Sequence, residues 1–162
     1  LRLSIWFKVF NIDVIYKKEI MFSFKYVKTR EDAIAPKKVS KTDTGFDVTI
    51  LEAVKSYGDV TLYTTGLIVQ PTDGYYFDLV ARSSISKTGY ILANGVGIID
   101  QDYRGEVLVA LRKVDKLVPD IKLPIKIAQL IPRKWYDCEP VEVVNEALSE
   151  TKRNDGGFGS SN

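Results

Sequence analysis

Four short segments carry side chains that could handle an anionic substrate. Ala81-Arg82-Ser83-Ser84 follows a strand-like run and opens a possible helical turn. Arginine offers a planar fork of donors, serine adds hydroxyls, and backbone N–H groups at a helix start favour anions. The same letters would also make an ordinary cap with a surface arginine. In Ala93-Asn94-Gly95-Val96-Gly97-Ile98-Ile99-Asp100-Gln101-Asp102-Tyr103-Arg104-Gly105-Glu106, two glycines beside an asparagine suit close backbone approach to a ligand or a tight hairpin. Asp100 and Asp102, two positions apart, would point the same way from an extended backbone, with Tyr103 next to them. Such a carboxylate takes a proton from water or holds a metal ion's water, although a solvated loop carries the same pattern.

The third segment is the C-terminal Arg153-Asn154-Asp155-Gly156-Gly157-Phe158-Gly159-Ser160. Its glycines can expose N–H groups to an anion, and Phe158 could stack on a base while Arg153 meets phosphate. A floppy terminus is the plain alternative. The fourth, Asp43-Thr44-Gly45-Phe46-Asp47, says by itself only that a turn precedes a strand.

Short β-type runs must position these segments. Phe46 to Leu51, Val60 to Tyr63, Gly66 to Val69, Tyr75 to Val80, Val107 to Leu111 and Ile125 to Ile131 are rich in Val, Ile, Tyr and Thr. Turn residues separate them at Tyr57-Gly58-Asp59, Pro71-Thr72-Asp73-Gly74, Arg104-Gly105 and Val118-Pro119-Asp120. The pattern predicts an all-β sandwich or barrel-like fold. One short helix is expected from Ser83 to Gly89, capped by Ser83 or Ser84 and ended by Gly89.

The 162 residues suit one domain, and 45% hydrophobic content is enough for a buried core. A formal net charge of +2 does not mark a nucleic-acid or membrane binder. With no histidine, His-based nucleophilic schemes and His-ligated metals are excluded. Any metal must be a hard ion on oxygen ligands or on the substrate's own phosphates. One cysteine, Cys138, allows no internal disulfide and fits a reducing compartment. Residues 1–20 are apolar but interrupted by charges, with no run near the roughly 20 residues of a membrane span. We expect them to be an upstream extension, with the native start at Met21 and a first strand over Phe22 to Val27. A genuine extra strand or arm is the other reading. Residues 21–150 would form the β-domain and 151–162 a mobile tail.

Taken in order, the segments resemble the five motifs of the homotrimeric dUTPase family. Asp43 to Asp47 resembles the first, Ala81 to Ser84 the second, Gly97 to Glu106 the third, Lys126-Ile127-Ala128-Gln129-Leu130-Ile131 the fourth and Arg153 to Ser160 the fifth. The resemblance spans Phe22 to the C-terminus. It implies a distorted jelly-roll or β-barrel, trimeric with an exchanged C-terminal segment, and hydrolysis of dUTP to dUMP and pyrophosphate with Mg²⁺. That activity keeps uracil out of DNA and supplies dUMP for thymidylate synthesis.

Residue by residue, the resemblance makes Asp100 the group that activates water for attack on the α-phosphorus. It puts Tyr103 beneath the deoxyribose, leaving no room for a 2′-hydroxyl. Asn94 and the backbone of Gly97, Ile98 and Ile99 would form the hairpin that reads uracil, with Leu108 completing the pocket. Arg82, Ser83, Ser84 and Gln129 would hold phosphates. Asp47 would act through the waters of a metal held mainly by those phosphates. Arg153, Phe158, Gly159 and Ser160 would close over the loaded site.

The chain departs from the usual motifs at Ser84 (commonly glycine), Lys126 (arginine), Asn154-Asp155 (Gly-Glu) and Phe46 (tyrosine), and it stops at Asn162. Lys126 keeps charge but loses the fork. A dCTP deaminase-type relative would need a glutamate where Ala110 stands. A nucleotide-gated regulatory protein of the same fold is the other alternative, with Lys113 to Leu123 as its signalling surface. No direct nucleic-acid or membrane partner is expected, and the location is cytoplasmic, or nuclear or host-cell interior.

Overall fold

The computed structural model describes residues 22–153, 155 and 156. The expected extension over residues 1–20, the start at Met21, and the site residues Phe158, Gly159 and Ser160 all lie outside the described residues.

Ten strands form: β1 (Lys25–Lys28), β2 (Phe46–Ile50), β3 (Glu52–Tyr57), β4 (Val60–Thr64), β5 (Leu67–Gln70), β6 (Tyr75–Ala81), β7 (Tyr90–Leu92), β8 (Gly97–Ile99), β9 (Leu108–Lys113) and β10 (Ile125–Lys134). They make a two-stranded sheet β1-β5 and two four-stranded sheets, β2-β10-β6-β8 and β3-β4-β9-β7. All pairings are antiparallel. Among the described residues the fold is thus all-β and jelly-roll-like, but no ladder joins the two large sheets into a closed barrel.

Strand periodicity explains the core. In the first large sheet Val48, Ala128, Leu79 and Ile99 turn inward and are buried, while Asp47, Gln129, Val80 and Ile98 take the opposite face. From the second sheet Tyr63, Val109, Leu111, Tyr90 and Leu92 join the same buried cluster, with Leu67 and Val69 from β5. Removing that apolar area from water is the main favourable term in holding the sheets together.

Several expected elements shift. The first strand begins at Lys25 rather than Phe22, because Phe22 and Phe24 pack their rings on the core instead; Phe24 meets Phe77 edge-on at 4.9 Å. Gly66 belongs to a turn with φ +65, where a Cβ would stand 2.7 Å from Arg30 and 2.8 Å from Ala33. The helix is a five-residue 3₁₀ turn, Ser83–Lys87. Its N-cap is Arg82, with no side-chain cap, so neither serine caps it. β3, β7 and β8 were not foreseen. β3 is exposed along its whole length and shows no apolar alternation, and the other two have three residues each. Among the described residues no helix is long and apolar enough to cross a membrane.

Candidate active site

The first cluster forms where β2, β10 and the end of β6 meet. A bulge in β10 between Lys126 and Ala128 leaves Ile127 out of the ladder with β2. The freed Ile127 carbonyl accepts the Arg82 backbone N–H at 2.9 Å, which brings the Arg82 segment beside Lys126 and Gln129. The Arg82 side chain then donates to the Lys126 carbonyl at 3.2 Å, and its Nε lies 2.7 Å from Asp47 Oδ1. Gln129 donates to the Ala81 carbonyl at 3.3 Å. A Cβ on Gly45 would stand 2.1 Å from Gln129 Oε1, so only glycine leaves that amide its place.

Asp47 is 8% exposed. Among the described residues its Oδ2 has no hydrogen-bond partner, and the Lys126 ammonium lies 3.5 Å from it. Ser83 and Ser84 are exposed at the mouth of this cluster. Ser84, Arg82 and Lys126 line one cavity together with Lys37 and Thr49. Lys37 was missing from the expected set. Its signal was purely tertiary, because an isolated bridge to Asp47 sets it alongside β2.

The second cluster surrounds the turn from β7 to β8. Asn94, Gly97, Ile98, Ile99, Tyr103 and Leu108 line one cavity, so six expected site residues converge there. Glu106, which sequence reasoning did not select, shares that lining. The turn is not a laddered hairpin, since β7 pairs with β9 and β8 with β6, and residues 93–96 cross from one sheet to the other. Gly95 takes φ +67 at the crossing, and at Gly97 a Cβ would be tight against Leu79 and the Asn94 amide, 3.3 Å from each.

Asp100 follows β8. The chain turns there, with the Tyr103 N–H donating to the Asp100 carbonyl at 3.2 Å, so Asp100 and Asp102 do not share one face of an extended strand. They border a neighbouring cavity instead, with Tyr76, Gln101 and Trp135, and Ile98 separates it from the Tyr103 pocket. Gln101 holds the turn by accepting the Gly74 N–H at 3.1 Å. Asp100 is exposed, and among the described residues its carboxylate has no hydrogen-bond or ion-pair partner.

Asp100 and Arg82 sit at opposite ends of β6, with the Tyr103 pocket between them at Leu79. Ile99 pairs with Phe77, so Asp100 falls beside Tyr76, whereas Arg82 follows Ala81 at the other end. Six residues of strand separate Tyr76 from Arg82, about 20 Å at the usual rise. Arg153 is exposed and donates to the Gly156 carbonyl at 2.7 Å, away from both clusters' linings. Among the described residues no three His, Cys, Asp or Glu side chains converge. A divalent ion would therefore take most of its ligands from a polyphosphate, and the unsatisfied Asp47 Oδ2 fits the part of accepting a metal-bound water.

A family model described as dUTPase matches residues 31–162. The deoxyuridine 5′-triphosphate nucleotidohydrolase of Nautilia profundicola is 36% identical over 138 residues, spanning 84% of this chain and 96% of that one. Its counterpart from Finegoldia magna is 41% identical over 100 residues, spanning 61% and 68%. Among solved structures, the dUTPase of Staphylococcus bacteriophage 80alpha with dUPNHPP superposes with a TM-score of 0.68 at 23% identity, covering 86% of this chain and 98% of that one. A dUTPase of phage phi11, described with a structural Mg(II) ion, gives 0.61 at 21% identity, covering 78% and 99%. At such identities the two phage structures speak for the fold alone.

Proposed function

The chain belongs to the dUTPase family and hydrolyses dUTP to dUMP and pyrophosphate; we propose that it does so in sites shared between copies of itself, with Asp100 as the base. The observation that carries the sharing is the separation along β6. Asp100 falls beside Tyr76, about 20 Å along the strand from Arg82, and the three phosphates of one nucleotide cover far less. That spacing favours a second copy as the source of the phosphate grip. In this reading a second copy brings its Arg82 cluster to the first copy's Asp100.

The segment after β10 supports the same arrangement. Every residue from 133 to 153 is exposed, including Trp135, Tyr136, Val141, Val143, Val144 and Leu148. A run of apolar side chains left in water is what an exchanged arm presents before its neighbour is added. A closed trimer accommodates one contribution from each copy, with the tail beyond Arg153 supplying Phe158, Gly159 and Ser160.

In the shared site Asn94 and the backbone of Gly97 to Ile99 read the pyrimidine edge, Leu108 bounds it, and Tyr103 walls off the sugar. Arg82, Ser83, Ser84, Lys37 and Gln129 receive the phosphates. Asp100 takes a proton from water, which attacks the α-phosphorus and expels pyrophosphate. Its exposed carboxylate leaves both oxygens open to that water. Mg²⁺, when bound to the triphosphate, neutralises charge and aligns the α-phosphorus. Asp47 Oδ2 is placed to take a hydrogen bond from one of its waters. We place the reaction in the cytoplasm or another cell interior, where nucleoside triphosphates are found.

The test is pyrophosphate release from dUTP with Mg²⁺, beside dTTP, dCTP and UTP, for the wild type and Asp100→Asn. Release from dUTP alone, lost in the variant, is expected. Ammonia release from dCTP would sink the reading.

A further inference from the structure

Tyr103 lies in a turn and is 42% exposed. A ring so placed ordinarily samples several rotamers, and a sugar wall that moves cannot exclude one hydroxyl. Two neighbours hold it here. The Tyr103 hydroxyl donates to the Glu106 carbonyl at 3.1 Å. The ring also lies across Gly105 so closely that a Cβ there would stand 2.3 Å from the phenolic oxygen.

The Glu106 carbonyl is itself fixed, because its side chain is anchored outside the turn. Oε1 accepts from the Thr64 hydroxyl and from the Gly66 N–H at 3.2 Å, and Oε2 accepts from the Thr29 hydroxyl at 3.0 Å. Those donors belong to the end of β4, the turn before β5 and the residue after β1. Val107, next in the chain, donates to the Leu67 carbonyl at 2.8 Å and is fully buried. A flexible pocket wall is thereby bolted to three rigid segments through one carboxylate.

We propose that Glu106 is a positioning residue for sugar discrimination, holding the Tyr103 ring at one height so that a ribose 2′-hydroxyl meets it rather than displaces it. The proposal rests on the reading of Tyr103 as the sugar wall. Glu106 itself touches no reacting atom. Gly105 belongs to the same device, since any side chain there would lift the ring.

The test compares kcat/KM for dUTP and UTP in the wild type, Glu106→Ala, Glu106→Gln, Tyr103→Phe and the Glu106→Ala/Tyr103→Phe double variant. Glu106→Ala is expected to lower the dUTP preference about tenfold, through a lower KM for UTP more than through a change in kcat. Glu106→Gln should restore most of it, because its amide oxygen still accepts from Thr64 and Gly66. Tyr103→Phe should match Glu106→Ala, and the double variant should be no worse than either single, since both cut one tether. A lowered melting temperature with an unchanged dUTP-to-UTP ratio would overturn the proposal. If Glu106→Ala does not fold, Thr64→Val is read instead, and an unchanged ratio there overturns it equally. Wild-type protein that fails to hydrolyse dUTP would overturn the dUTPase reading and this inference with it; hydrolysis with unaltered preference in the variants removes the Glu106 role alone.

Discussion

At the scale of single residues, an unpartnered carboxylate contrasts with a tethered one. The Asp100 carboxylate is exposed and has no partner among the described residues, whereas Asp47 is buried and paired with Arg82 at 2.7 Å. Asp100→Asn keeps the shape and removes the basic oxygen. Its kcat should fall by roughly 10²–10⁴ with KM little changed, as measured by steady-state pyrophosphate release. Lys37 makes the opposite case. It lines the Arg82 cavity and would grip phosphate without moving a proton, so Lys37→Ala should raise KM for dUTP several-fold and leave kcat nearly intact. Asp100 was legible in the sequence because a motif surrounds it. Lys37 was not, since it lies ten residues before Asp47 and only the pairing with β2 makes the two neighbours.

At the scale of elements, irregularities place the chemistry. The β10 bulge exposes the Ile127 carbonyl to the Arg82 N–H, and Gly45 leaves space for Gln129. Gly45→Ala should push Gln129 aside and weaken triphosphate binding, seen as a higher dissociation constant for a non-hydrolysable dUTP analogue, with the far-ultraviolet β signal unchanged. The loop from Lys113 to Leu123 is tied back rather than free. Tyr90 donates to Asp120 at 2.9 Å, Lys113 pairs with Asp120 at 2.7 Å, and the tip at Leu117 is almost fully exposed. Burial first, and then the Asp120 hydrogen bond, push the Tyr90 hydroxyl up to about 12. A raised folded-state value means that the neutral phenol's contribution is complete below the ordinary tyrosine range and is lost as pH climbs through the folded value. The protein should therefore lose stability between about pH 10 and 12. Tyr90→Phe should flatten that loss, and following phenolate absorbance alongside thermal melts would check it.

At the scale of the molecule, one buried cluster unites the sheets and β6 separates Asp100 from Arg82. Phe77, fully buried at the centre of β6, should cost about 3–5 kcal/mol when cut to alanine, measured by chemical denaturation. The separation along β6 makes a sharper prediction. Asp100→Asn and Arg82→Ala, each inactive alone, should regain activity when unfolded together and refolded as mixed assemblies, because some sites then draw an intact Asp100 from one chain and an intact Arg82 from another. Absence of any recovery would mean that each chain supplies both ends of its own site.

By itself the sequence determined the strand class, because alternating Val, Ile and Tyr between turn residues suits only a pleated, half-buried surface. It also carried the letters of the proposed site, since the five motif-like segments are local in the chain. Tertiary structure alone decided where those letters meet. The 93–96 crossing between sheets and the Glu106 anchor depend on hydrogen bonds between residues tens of positions apart, such as Thr29 and Glu106. No local pattern encodes such partners, because a backbone amide or hydroxyl carries no record of which distant carbonyl or carboxylate will satisfy it.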